Sequence, residues 1–216
     1  KVTQEDLETR IFDLNNDSSI DGVLVQTPLP IHIDEDRVID LIDPGKDVDG
    51  FHAYNIGRLA IRRPTFRSAT PMGVMMLLDH IGLEYKGLDA TVIGASNHVG
   101  RPMGLELLLA GASVTTVHKF TRDTAAKVRM ADIVISAVGQ PGLVTEEWIK
   151  PGAVVIDVGI THGDKNKLFG DVCFDEVKEV AGWITPVPGG VGPMTRVALL
   201  ENTLLAARLH QETNPH

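Results

Sequence analysis

Residues Val92 to Pro102 read VIGASNHVGRP, with glycines at 94 and 100 on either side of Ser96. A glycine-bounded turn between a strand and a helix lets backbone N–H groups converge on an anion, and the helix dipole adds partial positive charge. That arrangement suits the cradling of a diphosphate bridge. The spacing is one residue longer than the usual dinucleotide-binding turn, and Ser96 stands where its second glycine is expected. Taken alone, the pattern serves equally as a plain turn that needs glycine for packing. Further on, the chain runs Val117-His118-Lys119-Phe120-Thr121-Arg122 with no acid before Asp123. A site for a free ribose 2′-hydroxyl places a carboxylate there, whereas cations suit a 2′-phosphate. NADP is therefore expected over NAD; the alternative is that Lys119 and Arg122 are solvated surface bases.

These turns need a scaffold, and the surrounding pattern supplies one. ATVIG (90–94), SVTTV (113–117), DIVIS (132–136) and AVVID (153–157) are short, continuous, β-rich runs. Helix-length stretches at 101–110 and 122–130 separate the first three. Strands alternating with helices predict βαβ units and a parallel sheet covered on both faces. The expected fold class is α/β: a doubly wound, mostly parallel, Rossmann-like sheet, plus a second, partial α/β substrate domain.

Upstream, Thr3 to Asn15 carries Leu7, Ile11 and Leu14 at helical spacing. GVLVQ (22–26) reads as a buried strand ended by Thr27-Pro28-Leu29-Pro30. A helix is expected from Asp34, as N-cap, to Ile42, and a loop over 43–57. Thr70-Pro71 reads as an N-cap and first turn, with helix to Ile81 and a stop at Gly82. A last helix is expected from Met194 to Leu209, with Val197, Leu200, Leu204 and Leu205 as its apolar face. The expected domains are 1–69, a partial substrate domain; 70–185, the nucleotide domain; and 186–216, a cleft loop and a helix returning to the first. Opening on Lys1 and entering a helix almost at once, the chain reads as N-terminally incomplete.

Composition excludes several classes. The chain of 216 residues is 43% apolar and 23% charged, which is globular rather than disordered. One cysteine, Cys173, rules out a disulfide framework or a cysteine zinc cluster, and no metal is expected. Residues 1–50 hold 13 acids and 4 bases, which accounts for the whole net charge of −9, so there is no basic footprint for nucleic acid. The longest uncharged stretch, 180–195, contains three prolines and four glycines and does not resemble a membrane span. Without a signal peptide pattern, a cytoplasmic protein is expected by default. Two acids, Asp47 and Asp49, flank Val48 in a Gly-rich segment, where either could stabilise a turn. Gln26 ends its run and could satisfy local backbone alone.

Several strings occur together and in order: VLVQTPLP (23–30), PGKDVDGFHAYNIGRL (44–59), TPMG (70–73), VIGASNHVGRPM (92–103), AVGQPGLV (137–144), VVIDVGI (154–160), GDV (170–172) and TPVPGGVGPMT (185–195). Together they resemble the bifunctional methylenetetrahydrofolate dehydrogenase/cyclohydrolase family, over about residues 20–209. The resemblance implies NADP-dependent oxidation of 5,10-methylenetetrahydrofolate to the methenyl form, hydrolysis to 10-formyltetrahydrofolate, a role in one-carbon metabolism, and a homodimer built through the nucleotide domain. It implies that Gln26 and Asp49 serve catalysis and folate binding. It also implies that Pro188, Gly189, Gly190, Val191, Gly192 and Pro193 line the folate cleft. For the cofactor it implies Gly94, Ala95, Ser96, Val99, Gly100, Arg101, His118, Lys119 and Ile160. A pteridine edge pairs its amide and amino donors with one carboxylate, which suits Asp49.

One departure stands against this. The family's Tyr-x-x-x-Lys pair upstream of VLVQ, whose lysine is central to the hydrolytic step, has no match before Gln26. Two rival readings are a shikimate-type dehydrogenase on the same scaffold and a nucleotide-binding module without turnover; PVPGGVGPMT tells against the first. Residues 1–216 by themselves are expected to show little or no cyclohydrolase activity, and a full rate in a methenyl-hydrolysis assay would refute the role given to that lysine.

Overall fold

A computed structural model describes residues 2–163 and 167–213; Lys1 lies outside them. The chain forms two compact units, residues 1–69 with 197–216, and residues 70–196.

In the second unit, β1 (Asp89–Ile93), β2 (Ser113–Val117), β3 (Ile133–Ser136), β4 (Val154–Asp157) and β7 (Trp183–Ile184) form one sheet in the order β2-β1-β3-β4-β7. Every pairing in it is parallel. All residues of β3 and β4 are buried, the pattern of strands covered on both faces. β2 lies at an edge and keeps Ser113, Thr115 and Thr116 exposed. Helix α4 (Ala69–His80) leads into β1, and α5 (Gly100–Ala110) and α6 (Thr124–Arg129) connect β1 to β2 and β2 to β3. Val74, Leu78, Val92, Met103, Leu107, Ile133 and Ile135 fill one core cluster. Val117, Val128, Val134, Val155 and Val177 fill another. β5 (Thr161–His162) and β6 (Leu168–Phe169) make a small antiparallel pair, and α7 (Phe174–Val177) follows. Neither β7 nor this pair is visible as a pattern, because two-residue strands carry no period.

The helix start at 69–71 differs in detail from expectation. Thr70 lies inside α4 rather than capping it, and its Oγ1 shares a hydrogen bond with Thr195 Oγ1 at 3.1 Å. Gly82 ends the helix with φ +70°.

In the first unit, α1 (Gln4–Asn16) begins in a capping box between Thr3 and Asp6 and buries Ile11. α2 (Glu35–Leu41) is capped by Asp34. Residues 22–26 do not form a strand ladder: Val23 makes a single parallel bridge to Asp47, and no other residue of the run finds a partner among the described residues. The segment 43–57 is not all loop, since α3 (Ala53–Ala60) begins within it, capped by His52. Asn55 and Gly57, both weak helix formers, hide this short helix from a propensity reading.

The final helix, α8 (Val191–Thr213), presents a different face from the one expected. Of the expected face, Leu205 does pack inward, against Val48, Phe66 and Ala206, but Val197, Leu200 and Leu204 are exposed, whereas Ala198, Asn202 and Ala206, four residues apart, are buried. Small side chains permit close approach, and Asn202 Nδ2 donates to the Val48 and Arg67 carbonyls at 2.9 and 2.8 Å. Lys46 Nζ closes the other side of the same loop, donating to the carbonyls of Leu14, Asn15 and Asp17 at the end of α1.

Within that loop Asp47 is the anchor. Its buried carboxylate accepts from the amides of Gly50, Phe51 and His52, at 3.0, 3.3 and 2.9 Å, and from Asn55 Nδ2 at 2.8 Å. Asp47→Ala strands these donors out of reach of water, so the unfolding free energy in urea should fall by about 3 kcal/mol or more. A loss below about 1 kcal/mol would mean the loop is held otherwise.

Candidate active site

A parallel sheet sends every strand toward the same edge, so the segments after β1, β2, β3 and β4 gather there. A cavity of about 740 Å³ opens among them. Gly94, Ala95 and Ser96 line it after β1, His118, Lys119 and Phe120 after β2, and Ala137, Val138 and Gln140 after β3. Arg101, Thr124, Leu143 and Trp148 complete the wall.

Gly94 adopts φ +119°, and a Cβ there would run into the Ala137 carbonyl; one at Gly100 would meet the Gly94 carbonyl. Glycine thus lets the turn fold back on itself at both ends. Ser96 Oγ accepts from the Val99 and Gly100 amides, both at 3.2 Å. Those two helix-start donors are therefore spent internally, and the Ser96 hydroxyl keeps its own proton to donate. Arg101 Nε donates to the Ala95 carbonyl at 3.2 Å, which draws its guanidinium across the turn.

After β2 the chain turns tightly, with the His118 amide on Thr121 Oγ1 at 2.9 Å. The Phe120 ring is 79% exposed, meets the His118 ring edge-on, and carries Lys119 Nζ 5.0 Å from its centroid. A solvated aromatic plane beside cations is what a purine and an attached phosphate require. Diphosphate turn, base platform and cations together fit NAD(P).

Of the cofactor residues expected from sequence, Gly94, Ala95, Ser96, Arg101, His118 and Lys119 line this cavity. Val99 and Gly100 stand behind Ser96. Arg122 is exposed and does not line the cavity. Ile160 belongs to a second cavity, about 380 Å³, with all of Pro188 to Pro193 and with Thr70, Asp157, Leu168, Thr195 and Arg196. Phe120, Trp148 and Asp157 escaped the sequence reading; only Phe120 carried a signal there, as an aromatic directly after the β2 cation. Burial pushes the Asp157 carboxyl above the usual carboxylate range, against the pull of the Val172, Asp171 and Gly159 amides.

In the first unit, Gln26 is exposed and its Nε2 donates to the Thr27 carbonyl at 3.1 Å. Asp49 is half-buried, and its carboxylate has no hydrogen bond among the described residues. Because the Val23–Asp47 bridge is parallel, Gln26 and Asp49 leave it in the same direction. Neither lines the unit's 440 Å³ cavity, which Lys46, Tyr54, Asn55, Arg58 and His210 help to form. Burial, and then the charge of Asp47, push the Asp49 carboxyl up to about 6.

The nucleotide-binding edge and its glycine turn define a dinucleotide-dependent oxidoreductase class of fold. Sequence comparison carries this further. Residues 68–211 match the tetrahydrofolate dehydrogenase/cyclohydrolase NAD(P)-binding domain, and residues 1–49 match the catalytic domain of the same family. The bifunctional FolD methylenetetrahydrofolate dehydrogenase/cyclohydrolase of Campylobacter jejuni is 47% identical, with a TM-score of 0.94 over 97% of this chain and 74% of its own. The Trypanosoma brucei enzyme, solved with NADP and an inhibitor, is 42% identical, with a TM-score of 0.92 over 100% of this chain and 75% of its own. A methylenetetrahydrofolate dehydrogenase of the silkworm Bombyx mori is 44% identical, with a TM-score of 0.93 over 98% and 76%. The chain belongs to the tetrahydrofolate dehydrogenase/cyclohydrolase family.

A raised carboxylate opposes folding when ionised: above pH about 6 the Asp49 charge costs stability, and below it the folded chain takes up a proton and the cost disappears. Asp49→Asn should therefore melt about 2–4 °C higher than wild type at pH 8, with the gap closing as pH falls through the Asp49 pKa. A gap that is the same at pH 5 and pH 8 would contradict this.

Proposed function

We propose that this chain carries out the NADP-dependent oxidation of 5,10-methylenetetrahydrofolate to the methenyl form and contributes the folate-binding part, with Asp49 and Gln26 at the folate end, of the hydrolysis of that product to 10-formyltetrahydrofolate. The observation that carries the cofactor half is the convergence of Gly94, Ser96, Arg101 and Lys119 on one 740 Å³ cavity. When bound, the nicotinamide supplies the acceptor for the hydride leaving the methylene carbon. The chain's own residues bind and orient. Asp49, mostly ionised at neutral pH, accepts the paired donors of the pteridine edge; with no hydrogen bond to its carboxylate among the described residues, it gives up none on binding. Ser96 and the turn hold the diphosphate, Lys119 meets the 2′-phosphate, and Ile160 with the Pro188–Pro193 loop confines the reacting end. Hydrolysis needs a proton carrier, which the family resemblance assigns to a lysine; residues 2–25 hold none.

Assembly as a homodimer through the nucleotide domain belongs to the same proposal, supported by the unpaired outer edge of β2. Among the described residues no helix is long and apolar enough to cross a membrane, and no group of acids, histidines and cysteine is placed to hold a metal ion.

Growth of methenyl absorbance on mixing the protein with methylenetetrahydrofolate and NADP tests the oxidation; no change in absorbance would refute it. Lys119→Glu should weaken NADP by about tenfold or more while leaving NAD nearly unchanged, because only the 2′-phosphate loses a charge-assisted partner. Equal losses for both nucleotides would remove Lys119 from that role.

A further inference from the structure

At the ends of β3 and β4 two buried carboxylates meet, neither of which has a part in the proposed reaction. Asp171 is wholly buried and Asp157 nearly so. Asp171 Oδ2 accepts from Ser136 Oγ at 2.9 Å and from the Val138 amide at 2.8 Å, and its Oδ1 accepts from the Gln140 amide at 2.8 Å. These donors are the end of β3 and the loop that follows it. Three residues of that loop, Ala137, Val138 and Gln140, form the wall of the 740 Å³ cavity opposite the glycine turn. Gly94 presses on Ala137 so closely that no side chain fits between them. A displacement of this loop is therefore a displacement of the surface that faces the turn.

We infer that Asp171 is a positioning residue that sets the cofactor-facing loop 137–140. The inference rests on the reading of that cavity as the NADP site. A carboxylate is the group for this task because it accepts through both oxygens and donates nothing, and of the donors it meets the Ser136 hydroxyl is wholly buried and would otherwise lack a partner. Asp171 is itself placed from the neighbouring strand end. Its amide donates to Asp157 Oδ1 at 3.0 Å, and the Val172 amide donates to Asp157 Oδ2 at 2.9 Å. The Gly159 amide adds a third bond to Asp157 at 3.0 Å, and Asp157 also lines the smaller cavity with Ile160. The ends of β3 and β4 are thus joined through two acids, and the loops lining the two cavities share one support.

An asparagine at 171 has the same shape but one acceptor oxygen. Its amide must face either the Val138 or the Gln140 N–H, so one loop contact becomes donor against donor. The test is NADP titration of the whole chain by calorimetry and by the fluorescence of Trp148, which lines the cavity. In Asp171→Asn, the NADP Kd and KM should both rise at least tenfold, with kcat at saturating NADP changed less than threefold and far-UV circular dichroism retained. A variant that melts earlier yet binds NADP within twofold of wild type would overturn the inference, because a merely structural acid lowers stability without moving affinity. If Asp171→Asn does not fold, Ser136→Ala removes one of the three bonds without adding a donor. Its Kd should rise about threefold; unchanged affinity there overturns the inference as well. A wild-type chain that fails to bind NADP overturns the cavity reading and this inference together, whereas a bound wild type beside an equally bound Asp171→Asn overturns the inference alone.

Discussion

Parallel pairing is the constraint from which the nucleotide unit follows. With β2, β1, β3, β4 and β7 all running one way, each strand delivers its C-terminal residue to a single edge, and the ladder leaves the backbone there without further strand partners. The edge must satisfy its own polar groups. It does so with side chains that accept: Ser96 for the start of α5, Thr121 for the turn after β2, Asp171 for the turn after β3, and Asp157 for the turn after β4. A surface built this way is rigid and rich in oriented dipoles, which is the condition for binding an anionic ligand without paying to organise the site.

The other unit solves a related problem with a different outcome. Asp47 and Asp49 are two residues apart in one loop, and their fates diverge completely. Asp47 collects four donors and becomes part of the framework; Asp49 collects none, and burial beside its neighbour's charge lifts its pKa. A carboxylate left in that state raises the energy of the folded chain while it is ionised. The loop around it cannot drift, because Lys46 and Asn202 hold it from opposite sides through backbone carbonyls.

Positive charge and an exposed aromatic plane meet at the 740 Å³ cavity. Lys119 and Arg101 bring positive charge to a cavity on a chain whose net charge is −9, so the local field opposes the global one. Phe120 adds area that solvent otherwise wets.

Much of this was legible in the order of residues. Continuous Val- and Ile-rich runs separated by helix-length segments define a covered parallel sheet, since both faces of such strands are buried and the pattern needs no partner to be recognised. Glycines at 94 and 100 and the absence of an acid between Val117 and Asp123 are likewise local facts, and they carry the expectation of an anion site there. What pairs with what is not local. The run 22–26 carries strand chemistry yet makes a single bridge, because a ladder depends on a neighbour and not on propensity. The apolar stripe of α8 faces outward while Ala198, Asn202 and Ala206 face in, because the loop under the helix needed small residues and an amide. Asp47 and Asp49 look alike in a sequence, and Asp171 looks like any surface acid. Only the fold counts the donors that reach each carboxylate among the described residues, and that count sets Asp47 and Asp171 apart from Asp49.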